Sequence, residues 1–279
     1  AQEMPAALVA AAWAVTHAND PGFDWLDATY YLPPEGKDAA ALFSDAHIPG
    51  AYFFDLDAVC APDTELPHML PPPEIFAQAV RAAGLSNDHH VIVYDQRGMF
   101  SAARLWWMFR VFGHDRVSVL DGGLPAWIAA GGATQAGTPP PGAGDFRAGF
   151  RPGMVRSLED MRDNLTSRAA LVLDARAAGR FDGSVPEPRP GMRGGHIPGS
   201  VSLPFTQLLA GGRMLPPDKL RARFAAAGVG DRPVITSCGS GVTAAMVTLA
   251  MVVAGLPEGA LFDGSWSEWG ARDDVPVER

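Results

Sequence analysis

A chain of 279 residues, 47% hydrophobic and 19% charged, is long enough for two domains of ordinary size and is composed like a globular protein. The formal net charge of −9 excludes a broad nucleic-acid-binding surface but leaves room for a local basic pocket that takes a small anion. Two cysteines, Cys60 and Cys238, make neither a disulfide framework nor a cysteine-based structural zinc site, and both are expected as reduced thiols.

The first apolar stretch, Ala6 to Val15, is short and has no basic region ahead of it. It reads as a first buried element and not as a signal peptide or membrane span; no other apolar run is long enough to cross a bilayer. A weak internal repeat then organises the chain. Leu26-Asp27-Ala28 returns as Leu173-Asp174-Ala175, and His47-Ile48-Pro49-Gly50 returns as His196-Ile197-Pro198-Gly199. The run Val91 to Asp95 aligns with Val234 to Cys238, and Asp121-Gly122-Gly123 with Trp127 aligns with Asp263-Gly264-Ser265 with Trp269. The four matches keep their order at shifts of 142 to 149 residues, too long for a solenoid, which predicts a tandem domain duplication.

Between the copies, Thr138-Pro139-Pro140-Pro141-Gly142-Ala143-Gly144 suits a linker. The expected division is a first domain over 1–138, a linker over 139–153 and a second domain over 154–279. In each half, short β-rich runs alternate with helical patterns. Leu171–Leu173 and Val234–Ser237 predict buried strands, and Ala244–Ala254 predicts a helix that is apolar nearly all round and therefore buried on most sides. The expected class is α/β, each domain a mainly parallel sheet covered by helices on both faces.

Cys238 stands between the strand Val234–Ser237 and that helix, in the loop Cys238-Gly239-Ser240-Gly241-Val242-Thr243-Ala244. Gly239 and Gly241 let the backbone curl so that successive N–H groups point to one centre, and the helix adds unpaired donors and the positive end of its dipole. Such a setting stabilises a thiolate and makes it a nucleophile. The plainer reading is a small buried residue at a strand end. A cysteine-dependent phosphatase needs an arginine six residues after its nucleophile, where this chain has Ala244, so phosphate chemistry is disfavoured.

The tandem halves, His-Ile-Pro-Gly in both, the Cys238–Ala244 loop and Asp263-Gly264-Ser265-Trp266-Ser267-Glu268-Trp269 together resemble the rhodanese superfamily, over nearly the whole chain from Trp25 to Trp269. Within it the resemblance is greatest to members that take sulfur from 3-mercaptopyruvate. Thiosulfate-preferring relatives carry an arginine and a lysine straight after the cysteine, where this loop has neutral Gly239 and Ser240. The resemblance implies two tandem rhodanese-like domains, the first catalytically silent because Asp95 stands at the cysteine position and a carboxylate cannot carry sulfane sulfur. It implies a Cys238 persulfide cradled by Gly239, Ser240, Gly241, Val242 and Thr243, with a thiol, a thioredoxin-like protein or cyanide as acceptor and no metal or cofactor. Thiosulfate:cyanide transfer, and a non-catalytic rhodanese-like binding module, stay as alternatives. A cytoplasmic protein without nucleic-acid or membrane partners is expected.

The segment with Gly179-Arg180-Phe181 and Pro186-Glu187-Pro188-Arg189 reads by composition equally well as a solvated loop or as a guanidinium site for a carboxylate. The resemblance assigns Arg180 and Arg189 to binding an α-keto acid. His68, eleven residues after Asp57, could be a satisfied surface or interface histidine; the resemblance makes Asp57, His68 and Ser240 a proton relay. His47 and His196 recur in both halves and read as turn anchors, while Trp106, Trp107 and Trp127 read as packing residues. Cys60 carries at most a redox role.

Overall fold

The computed structural model describes residues 4–279, which form two compact units. The first holds β1 (Leu8–Val9), α1 (Ala11–Thr16), β2 (Phe23–Asp27), α2 (Ala39–Asp45), β3 (Tyr52–Phe53), α3 (Pro73–Ala82), β4 (His90–Tyr94), α4 (Ala102–Val111), β5 (Val117–Leu120) and α5 (Gly123–Ala129). Its five strands run parallel in the order β1-β5-β4-β2-β3. The second holds β6 (Val155–Arg156), α6 (Leu158–Ser167), β7 (Leu171–Asp174), α7 (Ala178–Phe181) and β8 (Val201–Ser202). The two-residue strands β9 (Leu209–Ala210) and β10 (Arg213–Met214) follow and belong to neither five-stranded sheet. Then come α8 (Pro217–Ala226), β11 (Val234–Ser237), α9 (Ala244–Val253), β12 (Ala260–Phe262) and α10 (Ser265–Trp269).

The second sheet is parallel too, in the order β6-β12-β11-β7-β8. Element for element this is the order of the first sheet, so the repeat in the sequence is a repeat of topology. Equivalent backbone bonds recur as well: Ala28 donates to the Tyr94 carbonyl at 2.9 Å, and Ala175 to the Ser237 carbonyl at 2.8 Å.

Every residue of β4, and every residue of β11, is buried, which requires cover on both faces of each sheet. On one face of the second sheet, Val172, Ile235 and Phe262 pack with Met161 of α6 and with Trp266 and Trp269 of α10. Thr236 points to the other face, where its hydroxyl meets Thr248 of α9 at 3.0 Å. The helix expected over 244–254 forms as α9, and its residues from Ala244 to Met251 are all buried.

Two segments join units in ways that a linear boundary does not describe. Residues 63–69, with His68, pack into the second unit, and residues 211–214 pack into the first. The proline-rich stretch carries no helix or strand, yet it is fastened along the first unit: Gly142 donates to Ala82 at 2.6 Å, Gly144 to Arg81 at 2.9 Å and Phe146 to Leu85 at 3.1 Å. Gly144 approaches so closely that a Cβ there would lie 2.1 Å from the Leu85 carbonyl oxygen, which explains why the position is glycine.

The paired histidines behave alike. His47 Nδ1 bonds the Phe43 carbonyl at 2.9 Å with its ring stacked on Phe43, and His196 Nδ1 bonds the Phe181 carbonyl at 2.8 Å with its ring stacked on Phe181. Trp106, Trp107 and Trp127 are fully buried core residues.

Candidate active site

Chain geometry puts Cys238 directly after the central strand β11, at the carboxyl end of a parallel sheet, where open α/β folds present their sites. The residue is 1% exposed. Its N–H donates to Ser265 Oγ at 3.1 Å, and its carbonyl accepts from Trp266 N at 2.9 Å; the Gly239 carbonyl accepts from Ser267 N at 2.8 Å. Ser265 is held at a positive φ of 51° and passes its own hydroxyl proton to the Phe262 carbonyl at 2.9 Å. The loop's first two carbonyls are thus committed to the start of α10. On its inner side, Gly241 at φ 85° donates its N–H to Cys238 Sγ at 3.1 Å.

The first copy shows what such a loop is shaped to hold. Asp95, at the position of Cys238, is fully buried and accepts five backbone N–H bonds. Oδ1 takes Arg97 at 3.0 Å and Gly98 at 2.9 Å; Oδ2 takes Phe100, Ser101 and Ala102, each at 3.0 Å. Burial raises this carboxyl above its ordinary value while the N–H bonds pull it back down. In the repeat alignment Gly98 corresponds to Gly241, so the bond to Cys238 Sγ is the counterpart of one of these five. The remaining donors map onto Ser240, Thr243, Ala244 and Ala245, at the start of α9. A cradle of this kind stabilises one negative charge at the head of the helix, which is what a thiolate or a persulfide needs.

Arg180 comes from α7, a single turn where the sequence pattern suggested only a broken loop. Its Nε and Nη2 bond the Glu187 carboxylate at 2.7 and 2.9 Å. Burial works against the Arg180 charge, but Glu187, aided by Cys238, keeps the guanidinium above its ordinary value. Behind this pair lies a second one. Arg176 grips Asp174 at 2.8 Å through Nη2, donates from the same nitrogen to the Gly195 carbonyl at 2.7 Å, and lies 4.5 Å over the Trp266 ring. Its Nη1 is 3.3 Å from Glu187. In the first unit Thr29 occupies the place of Arg176 and bonds Asp27 with its N–H and hydroxyl, and burial pushes Asp27 up to about 6.

A small pocket is lined by Arg180, Glu187, Pro188, Arg189, Met192, Gly239 and Ser267. Both arginines named from the sequence are therefore brought to the loop that bears Cys238. His68 and Ser240 are joined as well: Nδ1 and Oγ lie 3.0 Å apart, with His68 held at a positive φ of 59°, a conformation that costs a non-glycine residue energy and so points to a fixed role. Asp57 lies in an exposed turn of the first unit, its N–H on Asp55 Oδ1 at 2.9 Å, and Cys60 Sγ donates to the Asp57 carbonyl at 3.2 Å. Arg176, Glu187, Met192 and Ser267 were not singled out from the sequence. The departure of Asp174-Ala175-Arg176 from Asp27-Ala28-Thr29 was the available signal for the first, and the acidic residue between two prolines for the second.

Comparison with known proteins gives the family of the chain. The Rhodanese-like domain family matches twice, over residues 10–130 and 157–272. The chain is 45% identical over 272 residues to 3-mercaptopyruvate sulfurtransferase of Escherichia coli, covering 97% of each. It is 42% identical over 274 residues to the Homo sapiens protein of that name, covering 95% of this chain and 92% of that one. The crystal structure of SseA from Escherichia coli, described as a 3-mercaptopyruvate sulfotransferase of "Rhodanese" fold, matches with a TM-score of 0.86 at 42% identity, over 95% of this chain and 100% of that one. Two copies of one domain in tandem, the second with Cys238 in the loop after its central strand, make this chain a member of the rhodanese family.

Proposed function

We propose that the chain is a sulfurtransferase that takes sulfur from 3-mercaptopyruvate onto Cys238 and passes it to a thiol acceptor. The observation that carries this reading is the Cys238 loop: its sulfur accepts the Gly241 N–H, and the twin loop aims backbone N–H groups at both oxygens of a carboxyl at the same position. The Cys238 thiolate attacks the sulfur of the donor. The S–S bond forms as the carbon–sulfur bond breaks, the electron pair goes to carbon as the pyruvate enolate, and a proton completes pyruvate. Gly239, Ser240, Gly241, Val242 and Thr243 hold the persulfide that remains.

Arg180 and Arg189 clamp the donor's carboxylate and polarise its carbonyl, which stabilises the enolate as it forms. Ser240 takes the donor's thiol proton, a role supported by its contact with His68, and Asp57 orients the histidine. The acceptor is a small thiol, a thioredoxin-like protein or cyanide. A thiol-reducing compartment such as the cytoplasm fits this chemistry, and no helix among the described residues is long and apolar enough to cross a membrane.

The test is mass spectrometry of the intact protein after addition of 3-mercaptopyruvate. One extra sulfur is expected on Cys238, and none in a folded Cys238→Ser variant, which loses all turnover. Normal activity in that variant refutes the assignment. A higher kcat/KM for thiosulfate than for 3-mercaptopyruvate establishes the thiosulfate reading instead, and a chain that takes sulfur from neither is a binding module.

A further inference from the structure

The role of Glu187 goes beyond the two arginines. Its carboxylate is 3% exposed, yet it lies beside the donor pocket and binds two guanidinium groups. A buried carboxylate is stable only when its charge is met, and here it is met twice, by Arg180 at 2.7 and 2.9 Å and by Arg176 at 3.3 Å. Arg176 is fully buried, clamped to Asp174 and lying over Trp266, so it cannot follow Arg180 if that side chain swings. It is the fixed post, and Glu187 is the link.

A guanidinium has two bidentate edges. Glu187 takes the Nε–Nη2 edge of Arg180 and leaves the Nη1–Nη2 edge. That second edge faces the Cys238 loop: a Cβ built on Gly239 would sit 2.9 Å from Nη2 and 4.0 Å from Nη1. The free edge is the one a donor carboxylate needs. Charge is counted as well as direction. Asp174 and Arg176 cancel, and Glu187 and Arg180 cancel, so Glu187 takes one positive charge away from the pocket that faces the donor. Each positive charge removed costs a dianion more than a mono-anionic α-keto acid.

We propose that Glu187 is the positioning residue that fixes the donor-facing edge of Arg180 and, by cancelling its charge, selects a mono-anionic sulfur donor over dianionic thiosulfate. The proposal rests on the sulfurtransferase reading given above. The test compares full-length Glu187→Gln and Glu187→Asp with the unaltered chain, measuring kcat and KM for 3-mercaptopyruvate and for thiosulfate with cyanide as acceptor. Glu187→Gln makes the pocket one charge more positive and loses one edge bond. Its KM for 3-mercaptopyruvate rises about tenfold, and the thiosulfate-to-mercaptopyruvate ratio of kcat/KM rises at least about threefold.

Glu187→Asp keeps the charge but withdraws it by one methylene. KM then rises for both donors and the ratio stays at its original value. Unchanged kinetics in Glu187→Gln, or an equal loss with both donors, overturns the proposal, since loss of structure alone lowers both together. Should Glu187→Gln not fold, an unchanged KM in Glu187→Asp overturns it. Sulfur uptake on Cys238 of the unaltered chain separates the two levels. Its absence refutes the sulfurtransferase reading and the donor assignment with it, whereas uptake with unchanged Glu187→Gln kinetics refutes the role of Glu187 alone.

Discussion

Replacing Asp95 by alanine removes the acceptor from five backbone N–H groups at once, those of Arg97, Gly98, Phe100, Ser101 and Ala102. Each buried donor left unsatisfied costs about 1–3 kcal/mol, so the upper bound is of order 10 kcal/mol. Water entering the vacated space meets part of that demand, and the expected loss is about 3–5 kcal/mol, a large share of the stability of a typical domain. Asp95→Asn fills the space but turns an amide donor toward either two or three N–H groups; its expected loss is about 2–4 kcal/mol. Urea unfolding at neutral pH measures both. Formate at about 0.1 M restores part of the alanine variant's stability, because it returns two carboxylate oxygens to a cradle built for them. A loss below about 0.5 kcal/mol in Asp95→Ala, with no response to formate, refutes the view that this loop is a committed anion cradle.

Other consequences are simpler to read out. Gly239→Ala places a Cβ 2.9 Å from Arg180 Nη2, and because Glu187 resists displacement of that group, KM for the donor rises several-fold while the thermal midpoint stays close to its original value. For pH, burial, with His114 and Arg116 adding to it, lowers His90 to about 4, so between about 4 and 6.5 the unfolded chain takes up a proton that the folded one refuses, and stability rises with pH across that window. Asp27, raised to about 6 by burial, works in the opposite sense, as the folded chain holds its proton more tightly and stability falls from about pH 4 to 6. His90→Gln removes the first contribution, so acid unfolding titrations of that variant show stability rising less steeply with pH across this window than in the unaltered chain.

The parts of the fold that follow local rules were legible in the sequence. The nearly all-apolar run over 244–254 and the buried strand before Cys238 had only one way to sit in a sheet covered on both faces, and they sit that way as α9 and β11. His47 and His196 were legible because duplication printed the same turn twice. The ion-pair chain was not. Asp174, Arg176, Arg180 and Glu187 look alike, as charged residues in a proline-broken stretch, whether they meet in the interior or face water, and only the fold decides. The same holds for Phe146, which the surrounding prolines and glycines marked as linker but which is wholly buried. The pairing of His68 with Ser240 spans 172 positions and was suggested by family resemblance, since no local pattern reaches that far.

The ring stacks of His47 on Phe43 and of His196 on Phe181 differ in what lies between their members. In the first copy the two residues are separated by three positions, and in the second by fourteen, 182 to 195. Those added residues carry Glu187 and Arg189, while Arg180 stands just before Phe181, where the first copy has the half-exposed Leu42. A stack that closes a tight turn in one copy closes a wide loop in the other, with its ring centroids 3.7 Å apart and the planes 4° from parallel. Closing a longer loop adds little entropic cost, which grows only with the logarithm of length. The same clasp thus closes both loops, and the longer one gains ties of its own within the second unit, Glu187 to Arg180 and the Gly195 carbonyl to Arg176.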